Sequence, residues 1–212
     1  MEKNIQTAAK TGIAVLLLIF LHTCAFAQNF DIRLLRSINH RTSSIDGMMV
    51  PVTNSVYTIT VAVPLGELAY GYAKHDSLSI IHGWQAMAGA GINFAVTFSA
   101  KYIVNRTRPY SRYPDINNYK TDTDPSFPSG HTSFAFETAT MLSFQYPKWY
   151  VIVPSYAWAS TVGYSRMYLG MHYPSDVLVG AFVGSASAWL SIKGTQWLRG
   201  CKHKKTSQVE GH

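Results

Sequence analysis

Three short clusters of charged and small residues stand out between Lys101 and Asp176. The first reads Lys101-Tyr-Ile-Val-Asn-Arg-Thr-Arg108-Pro109, the second Pro128-Ser129-Gly130-His131, and the third runs from Ser165-Arg166 through Gly170 and His172 to Asp176. Together they supply cations at Lys101, Arg108 and Arg166, histidines at 131 and 172, and one carboxylate. A phosphoryl group suits this set. Cations hold its oxygens, a glycine lets backbone approach it closely, and the free N–H groups of a helix start favour an anion. A carboxylate that accepts a hydrogen bond from one imidazole nitrogen fixes the tautomer and raises the basicity of the other, as a nucleophilic histidine requires. A metal site fits poorly, because the same three cations would repel it.

Each cluster taken alone has a plainer reading. Lys101 and Arg108 are two helical turns apart and share a face if the helix continues that far, but cations at the mouth of an apolar helix also snorkel to headgroups. His131 alone reads as a capping or core residue, and His172–Asp176 alone as a structural pair. Their convergence in one short region favours a single polar pocket.

The elements that must position these residues are apolar. Residues 47–66, 77–100, 149–165 and 177–192 contain no Asp, Glu, Lys or Arg, and 132–147 contains only Glu137. Each stretch is near or slightly below the length of a bilayer span, and each is rich in the small residues of close-packed membrane helices. The expected fold is an all-α membrane bundle of about five transmembrane helices. Charged residues make up 14% of the chain against about 25% in soluble domains. The mean hydropathy of +0.02 is low for such a bundle, so the local pattern carries the assignment. Gly170 is a natural helix stop and Pro174-Ser175 a restart, leaving His172 on a turn and Asp176 in the first turn of the last helix.

Residues 1–27 read as an export signal: Lys3 and Lys10, an apolar centre from Ile13 to Leu21, and the small-x-small site Ala25-Phe26-Ala27. An uncleaved anchor is the alternative. Residues 28–54 form a leader whose first part, 28–46, is an interfacial helix, a lid or a solvated lead-in. The domain proper spans 55–198, and 199–212 is a basic tail. With the start of 28–54 outside, all three clusters fall on the outer side, and Arg199, Lys202, Lys204 and Lys205 fall in the cytoplasm. Cys24 and Cys201 offer no disulfide framework. The net charge of +7 comes without any zinc-finger or RNA-binding signature, so no nucleic-acid partner is expected.

In their order the clusters resemble the type 2 phosphatidic acid phosphatase family, whose superfamily also holds bacterial class A acid phosphatases and vanadium haloperoxidases. The pattern Lys-x6-Arg-Pro, Pro-Ser-Gly-His, Ser-Arg-x5-His-x3-Asp is matched at every fixed position. The resemblance covers roughly residues 55–195 and implies a role for each matched residue. His172 attacks phosphorus and becomes a phosphohistidine, Asp176 orients it, and His131 protonates the leaving oxygen. Lys101, Arg108, Arg166 and the Ser129/Gly130 region hold the phosphoryl oxygens, with no metal or other cofactor. Arg106 and Arg112 match no fixed position; they steer anionic substrate or face headgroups. Glu67 and Glu137 receive no role and are expected to form hydrogen bonds inside the bundle.

The implied activity is that of a lipid phosphate or pyrophosphate phosphatase of a bacterial inner membrane, with its active site on the periplasmic or outer side. Polyprenyl (undecaprenyl) pyrophosphate is the leading substrate, followed by lipid A phosphate, phosphatidylglycerophosphate and phosphatidic acid. Rival readings are a soluble exported acid phosphatase, a vanadium haloperoxidase and a non-catalytic phospholipid-binding membrane protein.

Overall fold

The computed structural model describes residues 29–209, with side chains through Arg199. The expected signal segment with Cys24, and the side chains of the tail beyond Arg199, lie outside the described residues. Residues 29–38 form helix α1. There follow α2 (Ser43–Lys74), α3 (Ser77–Val104), α4 (Pro109–Arg112), α5 (Gly130–Gln145), α6 (Trp149–Tyr168) and α7 (Pro174–Val209).

Five long helices, α2, α3, α5, α6 and α7, coincide with the five charge-poor stretches of the sequence, α5 stopping at Gln145, two residues short of its stretch. Two boundaries differ from expectation. Residues 43–54, assigned to the leader, already belong to α2, and α2 runs on past Glu67 to Lys74. A charge at the end of an apolar run does not stop a helix; a left-handed residue does. His75 (φ 53°) closes α2, and Asp76 then caps α3 by accepting from the N–H groups of Leu78 (3.2 Å) and Ser79 (3.3 Å). Among the described residues, α2 and the Pro174–Arg199 part of α7 are long and apolar enough by themselves to cross a membrane.

Across the long helices, Ser, Thr and amide residues that sit in the bundle point inward, while large apolar side chains face out. Thr60, Asn93, Thr97, Ser133, Glu137 and Thr138 are buried, whereas Val61, Leu65, Phe94, Phe98, Phe182 and Trp189 are exposed. An apolar outside around a polar, small-residue inside is the distribution expected when the surrounding solvent is lipid. Helix α5 lies in the middle of the bundle. Against it, α7 presents Gly180 and Gly184: a Cβ at 180 would lie 2.7 Å from the Ser129 carbonyl oxygen, and one at 184 would collide with that of Ser133.

Helices α2, α5 and α7 begin, and α3 and α6 end, at the same end of the bundle. Helix α1 packs onto that end. Ile32 and Leu35 are buried with Ile116 and Tyr173. Asn39, just after the helix, donates to the carbonyls of Tyr168 (2.8 Å) and Asn117 (2.9 Å).

Candidate active site

The expected common helix face for Lys101 and Arg108 does not form, because α3 ends at Val104. Asn105 takes the left-handed conformation (φ 45°) and its N–H bonds the Lys101 carbonyl at 2.9 Å. Arg108 follows in extended backbone, the conformation favoured before Pro109. The chain therefore turns back, and the two cations meet over the loop that precedes α5. Asp124 bridges them: one oxygen is 2.8 Å from Lys101 Nζ and the other 2.7 Å from Arg108 Nη2. Lys101 also donates to the Pro125 carbonyl (2.5 Å), and Asp122 lies 3.5 Å from Arg108. Partial burial pushes the Asp124 carboxyl up, but the Lys101 hydrogen bond and the Arg108 charge outweigh it and hold it down at about 2.

In the second cluster, Gly130 and His131 line the same polar cavity as Lys101 and Arg108. His131 stands edge-on to Tyr57, with ring centroids 4.8 Å apart, and Tyr57 Oη lies 3.5 Å from its Nδ1. Ser129 is placed differently from the sequence expectation. Its N–H donates to the Asp176 carbonyl (3.0 Å) and its hydroxyl pairs with that of Thr132 (2.9 Å). Both groups are thus committed to holding the start of α5 against the start of α7, and Ser129 does not line the cavity.

The third cluster is assembled by a broken helix. Helix α6 ends at Tyr168, Gly170 turns with φ +68°, and a Cβ there would lie 2.5 Å from the Asn117 carbonyl oxygen. This turn aims Arg166 and His172 into the cavity. Arg166 is 1% exposed and donates to Thr53 Oγ1 (3.1 Å); its Nε and Nη2 have no protein partner among the described residues. Buried guanidinium donors without a partner are costly, and they fit an anion.

His172 Nδ1 lies 2.7 Å from the Ser126 carbonyl oxygen, so it carries the proton and donates to it. Nε2 is left as the lone-pair nitrogen, 3.5 Å from Arg108 Nη1. Asp176 Oδ2 is 3.7 Å from Nδ1, beyond hydrogen-bond length; it accepts from Ser126 Oγ (2.5 Å) and from the Tyr173 N–H (3.0 Å). The carboxylate therefore acts on the imidazole partly through Ser126, which the sequence did not single out. Burial is the main cause that pushes the His172 imidazole down, to about 4; Asp176 opposes this, while Arg166 and Arg108 add to it.

Lys101, Arg108, His131, Arg166 and His172, with Tyr57, Lys120, Asn54, Asp122 and Asp124, surround a cavity of about 440 Å³. A second space of about 450 Å³, lined by Val61, Leu65, Phe94, Phe98 and Phe134, adjoins it and shares Tyr57, Lys101, Asp124 and Gly130. Arg112 is not among the residues around either space. Asp122, Asp124 and Ser126 went unnoticed in the sequence. Their one signal is the alternation Thr121-Asp122-Thr123-Asp124 leading straight into the second cluster.

A family model, the PAP2 superfamily, matches residues 82–199, more than half of the chain and all three clusters. The chain belongs to the PAP2 superfamily. It is similar to an undecaprenyl-diphosphatase of Sulfolobus acidocaldarius, with 28% identity over 77% of this chain and 78% of the relative. It is also similar to the Bacillus subtilis undecaprenyl-diphosphatase BcrC, with 25% identity over 81% and 86%. Among solved structures, LpxE of Aquifex aeolicus superposes with a TM-score of 0.65 at 27% identity, covering 77% of this chain and 95% of LpxE. As a member of PAP2, this chain is an all-helical membrane lipid phosphatase.

Proposed function

We propose that this PAP2 enzyme removes phosphate from a polyprenyl diphosphate of the undecaprenyl class, through a phosphohistidine on His172 and without a metal. The observation that carries this reading is the junction of two spaces. A polar cavity holding Lys101, Arg108, Arg166, His131 and His172 opens into an apolar groove between α2, α3 and α5. A phosphate in the first with its lipid chain in the second satisfies both surfaces. Relatives that span most of this chain act on undecaprenyl diphosphate by name, which favours that lipid. The Bacteroides thetaiotaomicron lipid A 4'-phosphatase is 39% identical over only 30% of this chain, which supports lipid A less strongly.

In the proposed reaction His172 Nε2 attacks the terminal phosphorus, forming an N–P bond as the bridging P–O bond breaks. His131 gives its proton to the departing lipid phosphate. Water then attacks phosphorus, His131 takes its proton, and the N–P bond breaks to release inorganic phosphate. Arg166, Arg108 and Lys101 stabilise the charge that spreads over the phosphoryl oxygens, beside the first turn of α5 at Gly130. For the phosphate to reach Lys101 and Arg108, the Asp124 carboxylate must give way. The site lies at the end of α7 opposite Arg199, where the basic tail begins, so a cytoplasmic tail puts the chemistry on the outer face of the bacterial inner membrane.

The test is phosphate release by detergent-purified protein in EDTA, across polyprenyl diphosphate, lipid A, phosphatidylglycerophosphate and phosphatidic acid. We expect release foremost from polyprenyl diphosphate, insensitive to EDTA and abolished in His172→Ala. Preference for another lipid would replace the substrate. Silence on every lipid from folded protein would overturn the catalytic reading.

A further inference from the structure

Arg106 is the residue of the first cluster that the family signature leaves without a role, yet its guanidinium is engaged by four residues at the charged end of the molecule. Its Nη1 lies 2.6 Å from Asp176 Oδ1 and 2.7 Å from Ser175 Oγ, and its Nη2 lies 2.9 Å from Asp31 Oδ2. The guanidinium stacks over the Tyr173 ring, 3.9 Å from the centroid. Asp31 comes from α1, far away in sequence, and is 5% exposed. Its Oδ1 accepts the Ser175 N–H at 3.0 Å, satisfying one of the free N–H groups that open α7, and its Oδ2 accepts from the Ser175 hydroxyl.

We propose that Asp31 and Arg106 are positioning residues for the reaction: α1 docks Asp31 onto the start of α7, and Arg106, held between two carboxylates, fixes the orientation and charge of Asp176 beside His172. This rests on the reading of His172 as nucleophile. The two oxygens of Asp176 are divided. Oδ1 faces Arg106, while Oδ2 faces Ser126, the Tyr173 N–H and the imidazole. Positive charge develops on the imidazole as the N–P bond forms, and the Asp176 carboxylate is the negative group set to meet it. Were Arg106 to pair with Asp176 alone, it would cancel much of that charge. Sharing Arg106 with Asp31 leaves Asp176 partly free to serve the histidine. The same contacts explain why α1 lies at this end: Ile32 and Leu35 pack beside Tyr173, and Asp31 enters the site from that face.

The charges facing His172 come from every side: Asp176 on α7, Arg108 before α4, Arg166 on α6, His131 on α5, Lys101 on α3, and Asp122 and Asp124 on the loop before α5. Against that background Asp31 and Arg106 act with opposite signs. Removing the Asp31 charge strengthens the Arg106–Asp176 pairing and lowers the basicity of His172. Removing the Arg106 charge raises it.

The experiment uses the full chain in detergent micelles with 15N-labelled histidine, following the pH titration of the His172 ring in wild type, Asp31→Asn and Arg106→Ala. The expected midpoint moves down in Asp31→Asn and up in Arg106→Ala. In parallel, kcat on polyprenyl diphosphate should fall about tenfold in Asp31→Asn, as for the loss of one charge-assisted bond, with KM within about twofold. Arg106→Ala leaves two buried carboxylates facing each other and is the variant at risk of misfolding. Asp31→Asn is nearly isosteric and carries the test by itself. Unchanged kcat and an unmoved midpoint in folded Asp31→Asn overturn the proposal, as do shifts of the same sign in both variants. The titration needs no substrate, so inactive wild type would count against the catalytic reading alone.

Discussion

One buried stripe runs down the middle of the bundle, and its two ends behave differently. On α3 it passes through Lys101, Thr97, Asn93 and Gly89; on α5 through Ser129, Ser133, Glu137 and Met141; on α7 through Asp176, Gly180, Gly184 and Ala188. These are rows spaced four residues apart, the spacing that keeps side chains on one helix face. At the upper end the groups are charged and come from helix ends and loops, so they converge on a cavity. Further down, the polar groups come from helix interiors and bond one another: Thr97 Oγ1 lies 3.1 Å from Ser133 Oγ, and Ser133 donates to Asn93 Oδ1. Below them the stripe ends against an apolar cluster of Ala86, Met141, Ala188 and Ile192. Polar residues in this membrane bundle are thus arranged in two ways: at the top they line an open cavity, and in the middle they bond one helix to another.

The sharpest way to break this contrast is at the top. His172→Ala should reduce phosphate release by at least about 10³-fold while leaving helical content and thermal unfolding near wild type, because only the proposed nucleophile is lost. Arg166→Ala should cost about 10²- to 10³-fold, the range for removing a donor aimed at developing charge. Because burial holds the His172 imidazole down to about 4, Nε2 keeps its lone pair at neutral pH, and the acid limb of kcat/KM should lie near that value. A loss centred at ordinary imidazole pH would point to a more hydrated site.

In the middle the expected damage is to stability. A Cβ at 184 would meet the Ser133 carbonyl and, at 2.8 Å, the Glu137 amide nitrogen, all backbone atoms that cannot swing aside. Gly184→Ala should therefore lower stability by about 1–3 kcal/mol, read as earlier thermal unfolding in detergent, with KM unchanged. A fall in KM or a loss of activity without loss of stability would mean that the middle of the stripe is part of the site.

Asp124 tests the top from the other side. Its carboxylate already bridges Lys101 and Arg108, so it competes with any phosphate. Asp124→Asn should tighten inhibition by inorganic phosphate by about threefold to tenfold, a modest factor because this side chain is partly exposed. With its carboxyl held at about 2, Asp124 stays ionised between pH 5 and 8, so any pH dependence of the effect in that range should follow the charge of the phosphate and not of Asp124. Weaker inhibition would make Asp124 an organiser of the cations and no competitor.

Much of this contrast was legible in the sequence. Charge-poor runs located the five long helices, Gly170 and Pro174 marked the break that aims His172, and the fixed spacing picked out Lys101, Arg108, Gly130, His131, Arg166 and His172, which line one cavity. What could not be read depends on where the loops fold. Arg108 reaches Lys101 only because Asn105 turns left-handed, and Ser129 turns inward because Asp176 and Thr132 take its N–H and hydroxyl. Asp31 and Arg106 meet across a long stretch of chain, which no local pattern records. The inward facing of α5 was equally hidden. Its apolar and small residues show no single face in sequence, because the helix is surrounded by α2, α3, α6 and α7.

Glu137 gives the smallest expected effect and the finest test of the stripe. It is 2% exposed, its Oε2 receives a long contact from Thr138 Oγ1 (3.4 Å), and its Oε1 has no partner among the described residues. Gly89 makes room for it: a Cβ there would lie 2.5 Å from Oε1. An intramembrane carboxylate invites a functional reading, and the space around this one is shaped to its outline. If it fastens helices, shape matters more than charge, so Glu137→Gln should leave kcat and KM unchanged and shift stability by no more than about 1 kcal/mol. Glu137→Ala would open a hole between α3 and α5 and cost more, about 2–3 kcal/mol. Should Glu137→Gln instead change the pH dependence of phosphate release, the carboxylate would be coupled to Lys101 through Asn93 and Thr97, and the stripe would be one functional unit from top to middle.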